Sequence, residues 1–270
     1  MIRYILNLIV FVLSTINVQG QAPIILEKLT TIEGAFSIME IDKIGNLFLV
    51  DQHHRLTKRD KTGKTIYTFS ENRLGPIRTL DVSNPLQILV YFDDYAHLLV
   101  LDRTLSDIRR QDLNDLMIQQ IRSVGIATDN NIWIYDSDAF MLKKLDPQNN
   151  LVQESLDLSL LIEQEIVPNK ILELNNTIYV LNQSIGILFF DNFANFIYKL
   201  DIPNLKYFQI INDAIYYLSD NQLHQYHLPS ASTHTIDLVH STEQVKQISI
   251  GQGYFYILHP TGVDIYQIKK

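Results

Sequence analysis

The stretch Gly45–Phe69, GNLFLVDQHHRLTKRDKTGKTIYTF, predicts three short strands joined by two tight turns. We expect the strands at Leu47–Val50, Arg55–Arg59 and Thr65–Phe69, the first and third of which are rich in β-branched and aromatic residues. Both intervening segments contain Asp, whose carboxylate accepts backbone N–H groups in turns, and the second also contains Gly, which readily adopts positive φ. The stretch is therefore typical of an antiparallel β-meander.

Shorter echoes of this unit recur towards the C-terminus. Six apolar runs each end in a polar residue, at Asp51, Asp102, Asp136, Asn182, Ser219 and His259. The mean interval between these residues is about 42 residues, which lies within the range of four-stranded propeller blades. We expect four strands in each unit, and we assign the run before the polar residue to the second strand.

The second unit is assigned in the same way. Its inner strand is predicted at Ile88–Phe92, its second strand just before Asp102, its third at Leu105–Arg110 and its outer strand at Met117–Ile121. This assignment leaves Ser70–Leu86 as a long connection between the first two units. Such a connection is longer than a plain turn and is a candidate for function.

Two further segments complete the predicted organisation. Asp157–Pro168 is a second long connection, with a short helix expected inside it. The sixth unit stops after three strands, and Ile24–Leu29 is predicted to supply the fourth. Pairing of this early strand with the last unit would close a ring, which leaves only short, protected sheet edges.

The segment from residue 41 to residue 64, IDKIGNLFLVDQHHRLTKRDKTGK, resembles an NHL-type repeat. The shared features are an Asp, a Gly-Asn turn, an apolar strand ending in Asp, a His-Arg start to the next strand and a final Asp-x-x-Gly turn. The resemblance implies an all-β fold, a six-bladed β-propeller formed by residues 21–270. Beyond this segment only the strand skeleton is similar, so the resemblance favours a fold rather than an activity.

Composition excludes several classes of function. The 270-residue chain has a formal net charge of -8, which argues against a general nucleic-acid-binding protein, because phosphate binding depends on Lys and Arg. It contains no cysteine, so disulfides, thiol catalysis and cysteine-ligated metals are excluded. Its stability must come from the core and the topology.

Residues 1–20 have the pattern of a secretory signal peptide. A positive start at Arg3 is followed by the apolar run Ile5–Leu13 and the polar segment Ser14–Gly20, with cleavage expected before Gln21. The alternative is a membrane anchor, but the apolar run is shorter than the ~20 residues that a spanning helix needs. We therefore expect an exported protein, periplasmic or extracellular, with no membrane span after cleavage.

A partner-binding face is predicted around the long connection. In a propeller, the connections between blades share a face with the turns between second and third strands, and binding residues are common on such loops. We therefore expect one surface to contain the following side chains: His53, His54, Arg73, Arg78, Asp81, Arg103 and Asp138.

A basic arc is predicted on the third strands of the first three units, formed by Lys58, Arg59, Arg109, Arg110, Lys143 and Lys144. One interpretation is a surface for a partner protein with an acidic surface. The other is ordinary solvation by long side chains that bury their stems.

No metal, cofactor or catalytic site is predicted. The polar residue that ends each apolar run is interpreted as a turn former, in preference to a carboxylate array around a channel. His224 and His227 are three apart in a predicted strand, so alternation directs them to opposite faces. The adjacent His53 and His54 lie in a predicted turn and could evade this rule, but a metal site needs three or four converging ligands. The sequence contains no G-x-S-x-G elbow, no H-E-x-x-H motif and no Walker loop.

Three functional hypotheses follow, of which the least favoured is carbohydrate or cell-wall binding through exposed Tyr side chains and Trp133, because Trp133 in a second strand is expected in the core. The first is a rigid, monomeric module for protein–protein interaction. The alternative is a metal-dependent, lactonase-like hydrolase with its site at the central channel, because enzymes on similar six-bladed propellers use a central metal held at inner-strand ends. That ligand set has no residue-by-residue match in this sequence.

Overall fold

The computed structural model describes residues 25–116, 118, 120–202, 204–205, 207–236 and 244–269. The predicted signal peptide lies outside the described residues. Within the described residues, the chain forms six sheets of four antiparallel strands each. Each sheet is one blade of a ring.

The first three blades follow the chain in order. Blade 1 consists of β2 (Phe36–Ile41), β3 (Leu47–Asp51), β4 (Leu56–Arg59) and β5 (Thr65–Phe69). Blade 2 consists of β6 (Thr79–Asn84), β7 (Gln87–Phe92), β8 (His97–Leu101) and β9 (Asp107–Asp112). Blade 3 consists of β10 (Ile121–Ile126), β11 (Ile132–Asp136), β12 (Met141–Leu145) and β13 (Leu151–Glu154).

The last three blades repeat the pattern. Blade 4 consists of β14 (Pro168–Leu174), β15 (Thr177–Asn182), β16 (Gly186–Asp191) and β17 (Phe196–Leu200). Blade 5 consists of β18 (Phe208–Ile211), β19 (Ala214–Ser219), β20 (Gln222–His227) and β21 (Ser232–Ile236). Blade 6 consists of β22 (Gln247–Gly251), β23 (Tyr254–His259), β24 (Gly262–Lys269) and, from the start of the described chain, β1 (Ile25–Glu33).

The prediction of a six-bladed β-propeller is confirmed. The first strands of neighbouring blades, such as β2 with β6 and β22, contact one another and are therefore the inner strands. The core lies between blades, in apolar clusters of second- and third-strand residues such as Phe48, Val90 and Leu99. Burial of these apolar surfaces is the main favourable contribution to stability in a chain that has no disulfides.

Ring closure occurs as predicted. Strand β1 pairs antiparallel with β24 from Ile25 with Lys269 to Glu33 with Gly262. The closing strand is longer than the predicted Ile24–Leu29, and its first predicted residue lies outside the described chain. Because β1 covers the edge of β24, blade 6 has the same four-stranded form as the others.

The predicted strand assignment of blade 2 is wrong by one strand. The run before Asp102 is the third strand, β8, and the predicted inner strand Ile88–Phe92 lies in the second strand, β7. The real inner strand, β6, lies inside the segment Ser70–Leu86 that was expected to be a connection. Its sequence, TLDVSN, is more polar than a buried strand usually is, because part of it faces the central channel.

The same shift affects the rest of that unit. The predicted third strand, Leu105–Arg110, overlaps the outer strand β9, and the predicted outer strand, Met117–Ile121, ends where the inner strand β10 of blade 3 begins. The connection between blades 1 and 2 is accordingly the shorter segment from residue 70 to residue 78. The second predicted connection, Asp157–Pro168, is present and contains a short 3₁₀ helix at Leu158–Leu160, as expected.

The interpretation of the recurring Asp residues as turn formers is confirmed. The Asp51 carboxylate accepts hydrogen bonds from the backbone N–H of His53 at 2.9 Å and of Arg55 at 3.1 Å. Asp102 accepts the N–H of Thr104 and Ser106 in the same way. Each carboxylate is thus committed to its own turn rather than to a shared array.

Candidate functional site

The two ends of the propeller have different turns. We call the end with the turns between first and second strands, and between third and outer strands, the upper face. The lower face has the turns between second and third strands and the connections between blades. Since inner strands run from the lower to the upper face, the strand assignment alone decides on which face a turn residue lies.

The structure divides the predicted partner-binding residues among three places. The lower face contains five of them, namely His53, His54, Arg73, Arg78 and Asp138. Arg103 lies on the upper face, in the turn between β8 and β9, where its carbonyl accepts a 2.8 Å hydrogen bond from Lys58 Nζ. Asp81 is buried on the inner strand β6. The placement of Arg103 and Asp81 on the predicted face is therefore wrong, and its cause is the one-strand shift in blade 2.

Arg73 and Arg110 share a buried carboxylate on the lower side of blade 2. Glu71 accepts hydrogen bonds from the Arg73 Nε and backbone N–H at 3.1 Å, and from Arg110 Nη1 at 3.3 Å. The hydrogen bonds of Arg73, assisted by Arg110, lower the Glu71 pKa from 4.5 to about 2. The cluster is an ion-pair network that ties the connection between blades to the outer strand β9.

This network predicts acid sensitivity. Because the pKa of Glu71 is lower in the folded chain, its contribution to stability is fully present above about pH 4.5 and is lost as the pH falls towards 2. We expect the free energy of unfolding, measured in urea between pH 7 and pH 2, to fall less steeply in Glu71→Gln than in the unaltered protein. Equal slopes in the two proteins would contradict the assignment.

The residues of the predicted basic arc are engaged within the protein. Lys143 and Lys144 form ion pairs of 2.7 Å with Asp136 and Asp129, respectively. Arg59 and Arg109 donate to backbone carbonyls, Arg110 pairs with Glu71, and Lys58 is buried against Arg103. Arg109 and Arg110 lie on an outer strand, so their predicted location on a third strand is wrong. These contacts fit the interpretation in which long side chains bury their stems.

A cavity of about 420 Å³ occupies the upper part of the central channel. Residues of the inner strands of blades 1, 2, 4, 5 and 6 line it. Blade 3 is absent from the lining because β10 packs directly against β14. At Gly125 a Cβ atom would lie 2.4 Å from the carbonyl oxygen of Ile171, so only glycine permits this approach. The cavity is therefore bounded by five blades, and the contact between β10 and β14 separates it from blade 3.

The wall of the cavity contains a buried ion pair between opposite blades. Lys170 Nζ lies 2.6 Å from Glu40 Oε1, and the hydroxyl of Tyr207 donates a 3.0 Å hydrogen bond to Glu40 Oε2. The Lys170 ammonium also lies 4.8 Å from the centre of the Tyr207 ring, a cation–π contact. The side chains of Lys170 and Glu40 are only 15% and 12% exposed.

Burial and charge shift the pKa of each member of this cluster. Burial raises the pKa of Glu40, and the attraction of Lys170 only partly offsets this. Burial alone would lower the pKa of Lys170, but the negative charges of Glu40 and Asp81 outweigh it and raise that pKa. Burial, together with the charge of Glu40, raises the pKa of Tyr207 to about 12.

These shifts limit the chemistry of the cavity. Lys170 remains an ammonium at neutral pH and therefore donates hydrogen bonds rather than acting as an amine nucleophile. Tyr207 remains a phenol and acts as a donor. Among the described residues, no three His, Asp or Glu side chains converge in a group that could hold a metal ion. The cavity is thus equipped for binding through hydrogen bonds.

Asp81 completes the polar wall. Its carboxylate accepts 2.8 Å hydrogen bonds from the backbone N–H groups of Ser83 and Ile126, the second of which links blade 2 to blade 3. Sequence reasoning identified Asp81 but missed Glu40, Lys170 and Tyr207. The available signal was a charged residue inside a strand that is otherwise apolar, at Glu40 in β2 and at Lys170 in β14.

A second candidate surface, which we call the leucine patch, consists of Phe140, Leu156, Leu160 and Leu161. It lies on the lower face of blade 3, and Leu156, Leu160 and Leu161 are 74%, 79% and 53% exposed. The Phe140 carbonyl accepts a 2.9 Å hydrogen bond from Leu158 N–H, which brings the turn and the 3₁₀ segment together.

The segment that presents the leucine patch is firmly anchored. Leu158, Ile162 and Ile166 point into the apolar cluster between blades 3 and 4. The Asp157 carboxylate caps the 3₁₀ helix by accepting the Ser159 N–H at 2.9 Å. The exposed leucines are therefore held on a rigid support, unlike those of a loose loop.

Comparison with solved structures supports the fold. A streptogramin B lyase has a TM-score of 0.62 and 12% identity, with 91% of this chain and 98% of that chain covered. This chain and the streptogramin B lyase share the β-propeller fold. The WD40 domain of Neurospora crassa Pan2 has a TM-score of 0.61 and 10% identity, with 91% and 96% covered. A catalytically inactive virginiamycin B lyase from Staphylococcus aureus with quinupristin has a TM-score of 0.62 and 10% identity, with 91% of this chain and 99% of that chain covered.

Sequence comparisons add no family. No family model matches this chain, and no curated protein matches it. The NHL-type resemblance of the opening unit thus stays a prediction. None of the helical segments in the described part of the chain has the length and apolar composition that a membrane-spanning helix needs.

Proposed function

We propose that this chain is an exported propeller that binds another protein through the leucine patch on its lower face. The observation that supports this proposal is that Leu156, Leu160 and Leu161, each more than half exposed, lie on one anchored segment. Clustered apolar side chains at a surface cost free energy in water, and such patches often mark protein interaction sites. A rigid support lowers the entropy lost on binding.

Charge around the leucine patch favours a basic partner. Exposed acidic residues flank the segment and its neighbouring turn, namely Asp138, Glu163 and Glu165. The net charge of the whole chain, -8, adds a long-range attraction for a positively charged surface. We therefore propose a partner with apolar side chains bordered by Lys or Arg. This differs from the acidic partner expected from the basic arc, whose side chains are engaged internally.

Export is part of the proposal and depends on the sequence of residues 1–20. The positive start, the short apolar run and the polar end are the supporting features. The test is the N-terminal sequence of the protein recovered from an exported fraction, with Gln21 expected as the first residue. Recovery of the uncut chain inside the cell would contradict it.

The metal-dependent hydrolase is less well supported. Two of the similar structures are lyases, but at this identity the likeness concerns the fold alone. Divalent ions need several converging oxygen or nitrogen ligands. In the cavity, Glu40 is already bound by Lys170 and Tyr207, and Asp81 by two backbone N–H groups. This donor set does not fit a catalytic divalent ion.

The leucine patch is tested with the double variant Leu160→Asp/Leu161→Asp. We expect a partner captured by the unaltered protein from the native exported fraction to be lost, with a drop in affinity of at least about tenfold, because apolar contacts are replaced by charge. Leu86→Asp is the matched control, since Leu86 is an equally exposed leucine on the upper face. Retention of the same partner by the double variant would refute the proposed surface.

A further inference from the structure

We propose that the cavity in the central channel binds a neutral polyhydroxylated molecule of one or two sugar rings. The cavity opens at the upper face, where the turn residues Lys43, Asn175, Asn212 and Gln252 form its rim. The leucine patch lies on the opposite face. The two sites are therefore separate, and this inference does not depend on protein binding.

The size of the cavity limits the ligand. Its volume of about 420 Å³ is towards the small end of the roughly 300–1,000 Å³ found for ligand pockets. The closed side at Gly125 prevents the channel from widening towards blade 3. A small, compact ligand fits this space, and an extended chain does not.

The charges of the wall favour a neutral ligand. The ammonium of Lys170 pairs with the carboxylate of Glu40, and the carboxylate of Asp81 lies in the same cavity wall. Lys170 and Glu40 already pair with each other, and Asp81 already accepts two backbone N–H groups, so a free ion would lose its hydration without full compensation. A neutral ligand avoids this cost and can still use the charged groups as strong hydrogen-bond partners.

Hydroxyl groups match the hydrogen-bonding capacity of the wall. An ammonium has three N–H donors, and among the described residues Glu40 is the one acceptor bonded to Lys170. Each carboxylate oxygen of Asp81 can accept a further bond beyond the single N–H that it already receives. A hydroxyl both donates and accepts, so neighbouring hydroxyls on one ring can satisfy Lys170 and Asp81 together.

The rim adds planar amides that suit the same ligand. Asn175 and Asn212 occupy turn positions with φ of 52° and 53°, which hold their side chains at the mouth of the cavity. Gln252 is fixed by a 2.9 Å hydrogen bond from its Nε2 to the Lys43 carbonyl. Apolar side chains, including Leu172 and Ile210, cover the remaining wall and can pack against C–H faces of a ring.

The test is a titration of the full chain with named sugars, observed by saturation-transfer NMR and quantified by calorimetry. The panel consists of glucose, galactose, mannose, N-acetylglucosamine, cellobiose and maltose, with inorganic phosphate, glycine and ethylamine as charged comparisons. We expect saturable binding of at least one sugar and none of the charged probes. Absence of sugar binding, or binding of a charged probe at this site instead, would overturn the proposal.

Two variants assign the binding to the cavity. Glu40→Gln/Lys170→Met removes both members of the ion pair while Gln retains an acceptor for Tyr207, and we expect about a tenfold loss of affinity, the equivalent of one hydrogen bond. Asn175→Gly/Asn212→Gly removes the rim amides at positions where glycine tolerates the backbone, and we expect a loss of several-fold. If Glu40→Gln/Lys170→Met fails to fold, the affinity of Asn175→Gly/Asn212→Gly decides whether the sugar binds in the cavity.

The matched control is Asn130→Gly. Asn130 lies in the corresponding turn of blade 3, with φ of 66°, but does not line the cavity. We expect it to bind the sugar with unchanged affinity. Equal affinity in the two cavity variants and the unaltered protein, or an equal loss in Asn130→Gly, would refute the site.

Discussion

Lys170→Met should lower the free energy of unfolding by about 3–5 kcal/mol, because it leaves Glu40 buried without its cationic partner. The pair joins blade 1 to blade 4 across the channel, and both side chains are largely shielded from water. Urea unfolding followed by circular dichroism measures the change. We expect most of the lost stability to return in Glu40→Gln/Lys170→Met, where no unpaired charge remains.

The comparison between these two variants is decisive. Replacing both partners of a buried pair is often close to neutral, whereas removing one is costly. If the single and double variants unfold at the same urea concentration, the Glu40 carboxylate is not stabilised by Lys170 in the folded protein. The arrangement of the cavity wall would then need revision.

Gly125→Ala should also destabilise the protein strongly, by about 1–3 kcal/mol or more. Its Cβ would meet backbone atoms of Ile171, with the carbonyl oxygen at 2.4 Å, and backbone cannot move aside as a side chain can. The strands β10 and β14 would have to separate. Thermal and urea unfolding measure the effect.

Gly251→Ala is the matched control for this prediction. Gly251 also lies on an inner strand, β22, and its Cβ would meet the Ile41 Cγ2 methyl group at 3.0 Å. A side-chain methyl group can shift by a few tenths of an ångström, so we expect a smaller loss of stability. Equal losses at the two positions would contradict direct packing of β10 against β14.

Much of the fold could be predicted because the turns are locally encoded. In blade 1, Asp51 and Asp60 each bind the N–H groups of their own turn, so the strand boundaries follow from the sequence. In blade 2, two successive strands, β7 and β8, are equally apolar and both are followed by turn formers. Nothing local distinguishes them, and the sequence pattern therefore assigns the polar inner strand β6 to a connection.

The candidate site could not be predicted for a different reason. Glu40 and Lys170 are 130 residues apart, and only the closed ring brings them together. Sequence alternation indicates which side chains leave a strand on the same side, but not which strand is opposite across a channel. The leucine patch was missed because Leu158 and Leu160 look alike in sequence, although one is buried and the other exposed.

The pairing of β1 with β24 has a consequence for the order of folding. Ile25 and Lys269, near the two ends of the described chain, are partners in the same sheet. Contacts between residues so distant in sequence form slowly, because the loop between them must close first. Blade 6 cannot be completed until the ribosome has released β24. Until then, the uncovered edge of β1 is a surface that a chaperone would need to protect.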